Sequence, residues 1–320
     1  MKDKIIIGID GGATSTTAVM FNNAGETLSY ERCGGTNLSL DEQSSSNKVL
    51  SLITNLCKKS KVDLESISAL GIGLAGASNK NGRDRLFGLL DNINLSDKAL
   101  ITNDIDPVYE FIWENNVGIL LNVGTGVICV AKKNGNFVRI AGKGHEKGDE
   151  GSGYWIGKES LIQLGLGENN SNGGDQLLRM ILEKNNFSSF DELINSINES
   201  QDKIFRIAKL AEHVIECAEK NNEFCKGIIQ HATRIVADYV INLCNEVQIS
   251  ERNIIIAGNG SVLKNNYFRK ELSNALIFDF KELKWIFLDI SAAYTSGILS
   301  ARLKGIDIDR KSLFLNSIKD

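Results

Sequence analysis

Short apolar runs alternate with amphipathic segments over the first hundred residues of the chain. The runs Ile5–Asp10 and Ser68–Leu74 have the length and the β-branched content of buried strands. Ser44–Ser60 and the segment near Arg83–Leu90 instead place apolar residues at helical spacing. This alternation predicts an α/β layer architecture. Further strands are predicted at Thr17–Phe21, Gly25–Tyr30 and Ala99–Thr102.

The same order of strands and turns begins again after Gly118. Both copies place an acidic or amide residue, Asp10 or Asn122, just before a pair of glycines. We therefore expect two copies of one α/β unit that face each other. The strands predicted in the second copy are Val117–Val123, Gly126–Ala131 and Phe137–Ala141.

The apolar spacing changes to three and four residues from about Tyr154 to Val247, which predicts a helical insertion within the second unit. After it, a strand at Asn253–Ala257 runs into the glycine turn Gly258-Asn259-Gly260-Ser261 and a helix. The predicted domains are residues 1–115 completed by a C-terminal helix within 291–320, and residues 116–290. The last predicted elements are a strand at Trp285–Leu288 and a helix at about Ser291–Leu303.

Two predicted hairpins, over residues 5–21 and 119–131, carry glycine and hydroxyl residues in their turns. Glycine lets main-chain N–H groups approach a phosphate closely, and hydroxyls add donors. A pair of such turns can close on one polyphosphate from two sides. The alternative is tight hairpin chemistry without a ligand.

The single proline, Pro107, follows Asp106. Aspartate at the N-cap and proline at the first helical position are typical of a helix start, which predicts a helix over Pro107–Glu114. Asn103 and Asp104 then lie in the short loop at the carboxyl end of a strand. Proteins of the α/β class usually place their chemistry at such loops.

Length and composition restrict the function classes. A chain of 320 residues with 42% hydrophobic and 24% charged residues is typical of a globular protein with two domains. A net charge of −4 gives no basic footprint for nucleic acid or an anionic membrane. The six cysteines are scattered without a CxxC pair, so neither a zinc site nor a disulfide framework is predicted. No apolar run has the length of a membrane span, and we expect a cytoplasmic protein.

With both hairpins, the Asn103-Asp104 loop and the third glycine turn in this order, the chain resembles the superfamily of acetate and sugar kinases, heat-shock chaperone ATPases and actin. The resemblance covers essentially the whole chain. It implies two duplicated actin-like, ribonuclease H-like α/β domains that flank a cleft for ATP and sugar.

The segment Gly148-Asp149-Glu150-Gly151-Ser152-Gly153-Tyr154-Trp155-Ile156-Gly157 resembles the N-acetylglucosamine kinase branch, grouped with the BadF/BcrA-type ATPases. Gly35-Thr36-Asn37 and residues 71–78 match the sugar-side loop and cleft-lining strand end of that branch. The resemblance implies ATP-dependent phosphorylation of an N-acetylated amino sugar, N-acetylglucosamine or N-acetylmuramic acid, at the 6-hydroxyl. Sugar kinases of this kind often form dimers, so the resemblance is compatible with a homodimer.

The resemblance also implies roles for single residues. Asp10 holds Mg²⁺ through water, and Asp104 accepts the proton of the attacking sugar hydroxyl. Asp106 is the neighbouring competitor for the base, but its expected N-cap position directs it at helix amides. The expected ATP-binding residues are Gly11, Gly12, Thr14, Ser15, Thr16, Gly124, Thr125, Gly126, Gly258, Gly260 and Ser261. The expected substrate-binding residues are Thr36, Asn37, Gly76, Ser78, Asn103, Asp104, Asp149 and Glu150.

One segment departs from the pattern of that branch, because residues 142–147 are polar and basic where the relatives tend to be apolar. We infer that Lys143 or Lys147 faces an anionic substituent, such as the lactyl carboxylate of N-acetylmuramic acid. Alternatives to an amino-sugar kinase are a glucosamine or hexose kinase, and an ATPase activator of a dehydratase or reductase that carries an iron–sulfur cluster. A non-catalytic ATP-gated binding protein is a third class.

Overall fold

The chain divides into two compact units. One comprises Met1–Asn116 and Leu288–Asp320, and the other comprises Val117–Phe287. None of the helices that the structure describes is long and apolar enough to span a membrane. The computed structural model describes residues 3–114, 116–145, 147–166, 173–249 and 253–318.

The first unit is built on a five-stranded mixed sheet of order β3-β2-β1-β4-β5. Strands β1, β2 and β3 form an antiparallel meander, while β4 and β5 run parallel to β1. The central strand β1 is buried along nearly its whole length, as its run of isoleucines predicts. The elements are β1 Ile5–Gly11, β2 Ser15–Asn22, β3 Thr27–Gly34, α1 Glu42–Ser60, β4 Ile67–Leu74, α2 Lys80–Asp91, β5 Ala99–Thr102 and α3 Ile105–Trp113.

The second unit repeats this topology with the order β10-β9-β6-β7-β8. Strands β6, β7 and β8 again form an antiparallel meander, and β9 and β10 run parallel to β6. The predicted duplication of one α/β unit is therefore confirmed. The strands are β6 Ile119–Val123, β7 Val127–Lys133, β8 Asn136–Ala141, β9 Asn253–Asn259 and β10 Glu282–Phe287.

The predicted helical insertion lies between β8 and β9, and its existence is confirmed. Its apolar faces and one face of the second sheet form a single core, in which Ile156, Val214 and Val240 are fully buried. Two more helices separate β9 from β10. The helices are α4 Gly153–Gly165, α5 Gly174–Asn185, α6 Phe190–Glu199, α7 Lys203–Glu219, α8 Glu223–Val247, α9 Ser261–Lys264 and α10 Asn266–Leu276.

The end of the chain completes the first unit with α11 Ala292–Leu303 and α12 Arg310–Asn316. Helix α11 lies directly on the backbone of the first sheet. A Cβ atom on Gly8 would lie 1.9 Å from the Ala293 carbonyl oxygen, and one on Gly71 would lie 1.8 Å from that of Ser296. Glycine at both strand positions therefore allows this close contact.

The start of α3 differs from its prediction. The helix begins at Ile105, and Asp104 occupies the N-cap position in a right-handed helical conformation. The Asp106 carboxylate accepts a hydrogen bond from the Thr102 hydroxyl at 2.8 Å. The prediction of Asp106 as the N-cap was therefore wrong. Pro107 is still tolerated, because residues of the first turn have no intrahelical partner for an N–H group.

The third glycine turn is also shorter than predicted. Gly258 is a buried residue of β9, paired in register with Phe287 of β10, and is not part of the turn. The turn proper is formed at Gly260, whose φ of 91° is in the left-handed region. Helix α12 was not predicted at all.

Candidate active site

The turn between β1 and β2 accepts hydrogen bonds from two other loops of the first unit. The Gly12 carbonyl accepts a hydrogen bond from the Thr36 N–H at 3.1 Å, and the Gly11 carbonyl accepts one from the Ala75 N–H at 2.7 Å. The turn itself is closed by the Gly12 N–H, which donates to the Ser15 carbonyl at 2.9 Å. The first hairpin therefore supports the loops that follow β3 and β4.

The hydroxyl residues of this hairpin do not have equal access. Thr14 is half-buried and Ser15 exposed, but Thr16 is only 1% exposed. Its hydroxyl donates to the Gly34 carbonyl at 2.9 Å and lies 2.9 Å from the hydroxyl of Thr36, which is fully buried. The side chains of Thr16 and Thr36 thus link the first hairpin to the loop after β3 by hydrogen bonds.

Two aspartates lie at the carboxyl ends of the parallel strands β1 and β5, which flank β4. Asp10 of β1 is the register partner of Gly73 of β4, and Gly73 is the partner of Thr102 at the end of β5. A Cβ atom on Gly73 would lie 3.3 Å from the Cα atom of Asp104. The strand between the two aspartates therefore has no side chain here, and both residues are half-buried. The absence of a side chain at Gly73 thus lets Asp104 lie close to β4, on the side of that strand opposite Asp10.

The predicted substrate residues of the first unit also meet at this edge. The Ser78 hydroxyl donates to the Asn103 side-chain oxygen at 3.1 Å. The Asn37 side-chain oxygen accepts a hydrogen bond from the Ser39 N–H at 2.8 Å. Gly76 has a φ of 73°, and a Cβ atom there would lie 2.4 Å from that same Asn37 oxygen. The loops after β3, β4 and β5 thus place amide and hydroxyl groups together.

The second hairpin, between β6 and β7, is fixed to the start of α4. The Gly124 N–H donates to the Gly126 carbonyl at 2.9 Å. The N–H groups of Gly153 and Tyr154 donate to the carbonyls of Gly124 and Thr125 at 2.8 and 3.1 Å. A helix N-terminus, which favours anions, therefore lies directly behind this glycine turn.

The third turn lies against the second hairpin. A Cβ atom on Gly124 would lie 3.7 Å from the Cα atom of Gly260 and 3.8 Å from the N atom of Ser261. Ser261 is exposed at the start of α9. The structure thus brings together the predicted ATP-binding residues Gly124, Thr125, Gly126, Gly260 and Ser261, with Gly258 in the strand below them.

Asp149 is packed against this same hairpin. A Cβ atom on Gly126 would lie 2.9 Å from an Asp149 carboxylate oxygen. Burial raises the pKa of the Asp149 carboxyl above its ordinary value, while hydrogen bonds from the backbone of Val127 and Gly144 oppose this shift. Glu150 is exposed, and the two acidic residues precede α4 instead of lying in its first turn.

The glycines of the Gly148–Gly157 segment are explained by close packing. Gly151 has a φ of 82°, and a Cβ atom there would lie 2.8 Å from the Ala232 carbonyl oxygen of α8. One on Gly157 would lie 1.9 Å from the Ile207 carbonyl oxygen of α7. Ser152, fully buried, caps α4 by accepting the Trp155 N–H at 3.2 Å. The segment therefore joins the second hairpin to the helical insertion.

The motif order and the duplicated topology agree with a family model that matches residues 7–294, nearly the whole chain. The chain belongs to the BadF/BadG/BcrA/BcrD ATPase family. The N-acetylmuramic acid/N-acetylglucosamine kinase of Clostridium acetobutylicum is 28% identical over 301 residues, which cover 93% of this chain and 98% of that protein.

Solved structures confirm the actin-like sugar-kinase fold within this ATPase family. A protein named as an N-acetylglucosamine kinase from Chromobacterium violaceum matches with a TM-score of 0.73 and 19% identity, covering 93% of this chain and 99% of that one. A second protein so named, from Porphyromonas gingivalis, matches with a TM-score of 0.72 and 17% identity over 94% and 100% of the two chains.

Two residues at the site are not among those predicted from the sequence. Gly73 separates the two aspartates, and Gly153 donates to the second hairpin. Gly73 was within the segment 71–78 that we matched, and its position opposite Asp10 follows only from the strand register. A serine followed by glycine before an apolar helix, as at Ser152-Gly153, was the available signal for the start of α4.

Proposed function

We propose that the protein transfers the γ-phosphoryl group of ATP to an N-acetylated amino sugar, N-acetylglucosamine or N-acetylmuramic acid, at the 6-hydroxyl. The observation that carries this proposal is the position of Asp10 and Asp104 on either side of Gly73, at the ends of parallel strands. One carboxylate can serve a metal ion and the other a hydroxyl proton, because both lie at the carboxyl ends of strands that flank β4, at the same edge of the sheet.

The residues present suit Mg²⁺ and ATP. Asp10 supplies the oxygen ligand that Mg²⁺ prefers, and a metal ion bound there would neutralise charge on the β- and γ-phosphates. The glycine hairpins would offer main-chain N–H groups to the phosphates. The first N–H groups of α4 already donate to the second hairpin and to Ser152, so the N-terminus of this helix would contribute its dipole. Gly260 and Ser261, against the second hairpin, would contact the adenosine.

In the proposed reaction, Asp104 accepts the proton of the 6-hydroxyl as its oxygen attacks the γ-phosphorus. The bond between the γ-phosphorus and the bridging oxygen breaks, and ADP leaves with the electron pair. Asn37, Ser78 and Asn103 hold the other sugar hydroxyls through their amide and hydroxyl groups. Thr16 and Thr36, with their buried hydroxyl contact, keep the hairpin and the sugar loop in register. Positioning dominates such phosphoryl transfers, so an aspartate suffices as the base.

The choice between the two sugars depends on the lactyl group. The relative from Clostridium acetobutylicum is named for both sugars, and we propose the same pair here. Lys143 and Lys147 are exposed in the loop before Asp149, and Glu146 between them lies outside the described residues. We propose that one of these lysines faces the lactyl carboxylate. Equal catalytic efficiency of Lys143→Ala and Lys147→Ala toward both sugars would exclude this role.

The test is ADP release with N-acetylglucosamine, N-acetylmuramic acid, glucosamine and glucose as acceptors. We expect turnover with the N-acetylated sugars and a loss of about a hundredfold or more in kcat for Asp104→Asn. Asp106→Asn is the matched control, since its carboxylate faces the Thr102 hydroxyl. Absence of turnover with every sugar, or full activity of Asp104→Asn, would contradict the proposal.

A further inference from the structure

A groove on the first unit lies between the edge strand β3 and helix α1. Its volume is about 580 Å³, within the range of small-molecule sites. Leu52, only 3% exposed, and the half-buried Cys33 form the apolar part of its lining. The residues assigned above to the phosphates and the catalytic base do not line it.

Helix α1 contributes four uncharged polar side chains to the groove. Ser44, Asn47, Ser51 and Asn55 follow one another at spacings of three and four residues and all line the groove. Each of these side chains can both donate and accept hydrogen bonds, as a polyhydroxylated ligand requires. The described residues that line the groove include no aromatic side chain on which a nucleobase could stack.

One cation of the groove, Lys48, is placed to bind an anion. Its two carboxylates already have partners, because Glu31 pairs with Lys59 at 2.8 Å and Asp41 accepts the Ser44 N–H at 2.8 Å. Arg32 and Lys48 are the cations of the lining, and the Lys48 ammonium donates to a neutral group, the Gly35 carbonyl, at 3.0 Å.

We propose that this groove is a second ligand site, for a sugar that carries a carboxylate or a phosphate. The pyranose ring packs on Leu52 and Cys33, its hydroxyls bind the amide and hydroxyl side chains of α1, and its anionic group binds Lys48. The Lys48 contact to Gly35 joins the groove to the loop that contains Thr36 and Asn37. A bound anion competes with the Gly35 carbonyl for Lys48 and so changes the support of that loop.

Cys33 gives a readout that needs no enzymatic activity. The other five cysteines are buried, so alkylation of the folded protein by iodoacetamide reports on Cys33. Burial raises the pKa of the Cys33 thiol, and the rates are therefore measured at alkaline pH by mass spectrometry. We expect glucuronate or glucose 6-phosphate to slow Cys33 alkylation severalfold, and neutral glucose to leave it unchanged. Equal protection by inorganic phosphate alone would overturn the assignment to a sugar.

A matched pair of variants locates the effect. Ser51→Glu places a carboxylate in the groove, and Lys58→Gln makes the same change of charge at an exposed position of α1 outside the groove. Protection should require about tenfold more anionic sugar in Ser51→Glu and the wild-type concentration in Lys58→Gln. Unchanged protection in Ser51→Glu, or none in the wild type, would overturn the proposal.

The link to the substrate loop rests on the proposed function. If that function holds, an anionic sugar at a concentration that just saturates the wild-type groove should change the KM for the acceptor sugar in the wild type and have a much smaller effect in Ser51→Glu. Because alkylation requires no turnover, a protein that shows Cys33 protection without kinase activity contradicts the proposed function alone.

Discussion

The Gly153 N–H donates to the Gly124 carbonyl at 2.8 Å, so the first residue of α4 holds the turn of the second hairpin. A side chain on Gly153 would itself lie 2.8 Å from that carbonyl oxygen. The turn of the second hairpin, which we propose binds phosphate, and α4 should therefore move together.

We predict that Gly153→Ala raises the KM for ATP and lowers the free energy of unfolding by about 1–3 kcal/mol, because the methyl group must displace backbone. The measurements are steady-state kinetics and urea unfolding. Gly165→Ala on the same helix is the control, since its added methyl meets only ordinary contacts with Phe190. A normal KM for ATP in Gly153→Ala would refute the coupling.

Gly73→Ala should reduce kcat while the protein stays folded. The methyl group would lie 3.0 Å from the Ser296 hydroxyl oxygen and 3.3 Å from the Asp104 Cα atom, so these neighbours must shift by a few tenths of an ångström. Because phosphoryl transfer depends on the position of the base, we expect kcat to fall roughly tenfold. Gly88→Ala, which meets no atom within 4 Å on the exposed side of α2, is the control and should keep full activity.

We expect Asp106→Ala to lower the stability of the protein more than it lowers kcat. Asp106 is 7% exposed and accepts a hydrogen bond from the Thr102 hydroxyl, so its loss leaves that hydroxyl, at the end of β5, without this acceptor. We expect a decrease of about 1–3 kcal/mol in the free energy of unfolding. Thr102→Val should cost a similar amount, and the double variant should show that the two effects are not additive.

The stability of the helical insertion should depend on pH through Glu216. Its hydrogen bonds to Lys184 and Lys220 lower the pKa of the carboxyl from 4.5 to about 2. The ionised form is favoured in the folded state, so this stabilisation is present above pH 4.5 and is lost as the pH falls toward 2. Glu216→Gln should therefore be destabilising at pH 7, by less than about 1 kcal/mol at this exposed site.

Urea titrations at pH 7 and at pH 2, each with and without 1 M salt, measure this difference. It should shrink at the lower pH and in high salt. A difference that stays constant between the two pH values would show that Glu216 acts through packing alone.

The strands could be predicted because each is a compact apolar run between glycine or polar residues. Ala99–Thr102 matches β5 at both ends, and the other strands differ by a few residues at their ends. Helix α12 could not be predicted, because it is short and only Leu313 is buried in it. Its contact with the first sheet's core depends on tertiary structure, whereas its cap is local, because Asp309 accepts the Ser312 N–H at 3.1 Å.

The candidate site was only partly accessible from sequence. Asp10, Asn103 and Asp104 follow from their places after apolar strands. The structural role of Thr16 could not be predicted, because the sequence does not show which carbonyl or hydroxyl a turn hydroxyl will contact. Asp106 was misjudged since the Asp-Pro pair suggests a cap, whereas Thr102 competes for that carboxylate.

The position of α11 affects how this protein is made. The helix that lies on Gly8 and Gly71 is encoded near the end of the chain, whereas the second unit is continuous and ends at Phe287. During synthesis, the second unit has its complete sequence while the first sheet still lacks one of its covering layers. The first unit can therefore complete its fold only after the whole of the second unit has been synthesised.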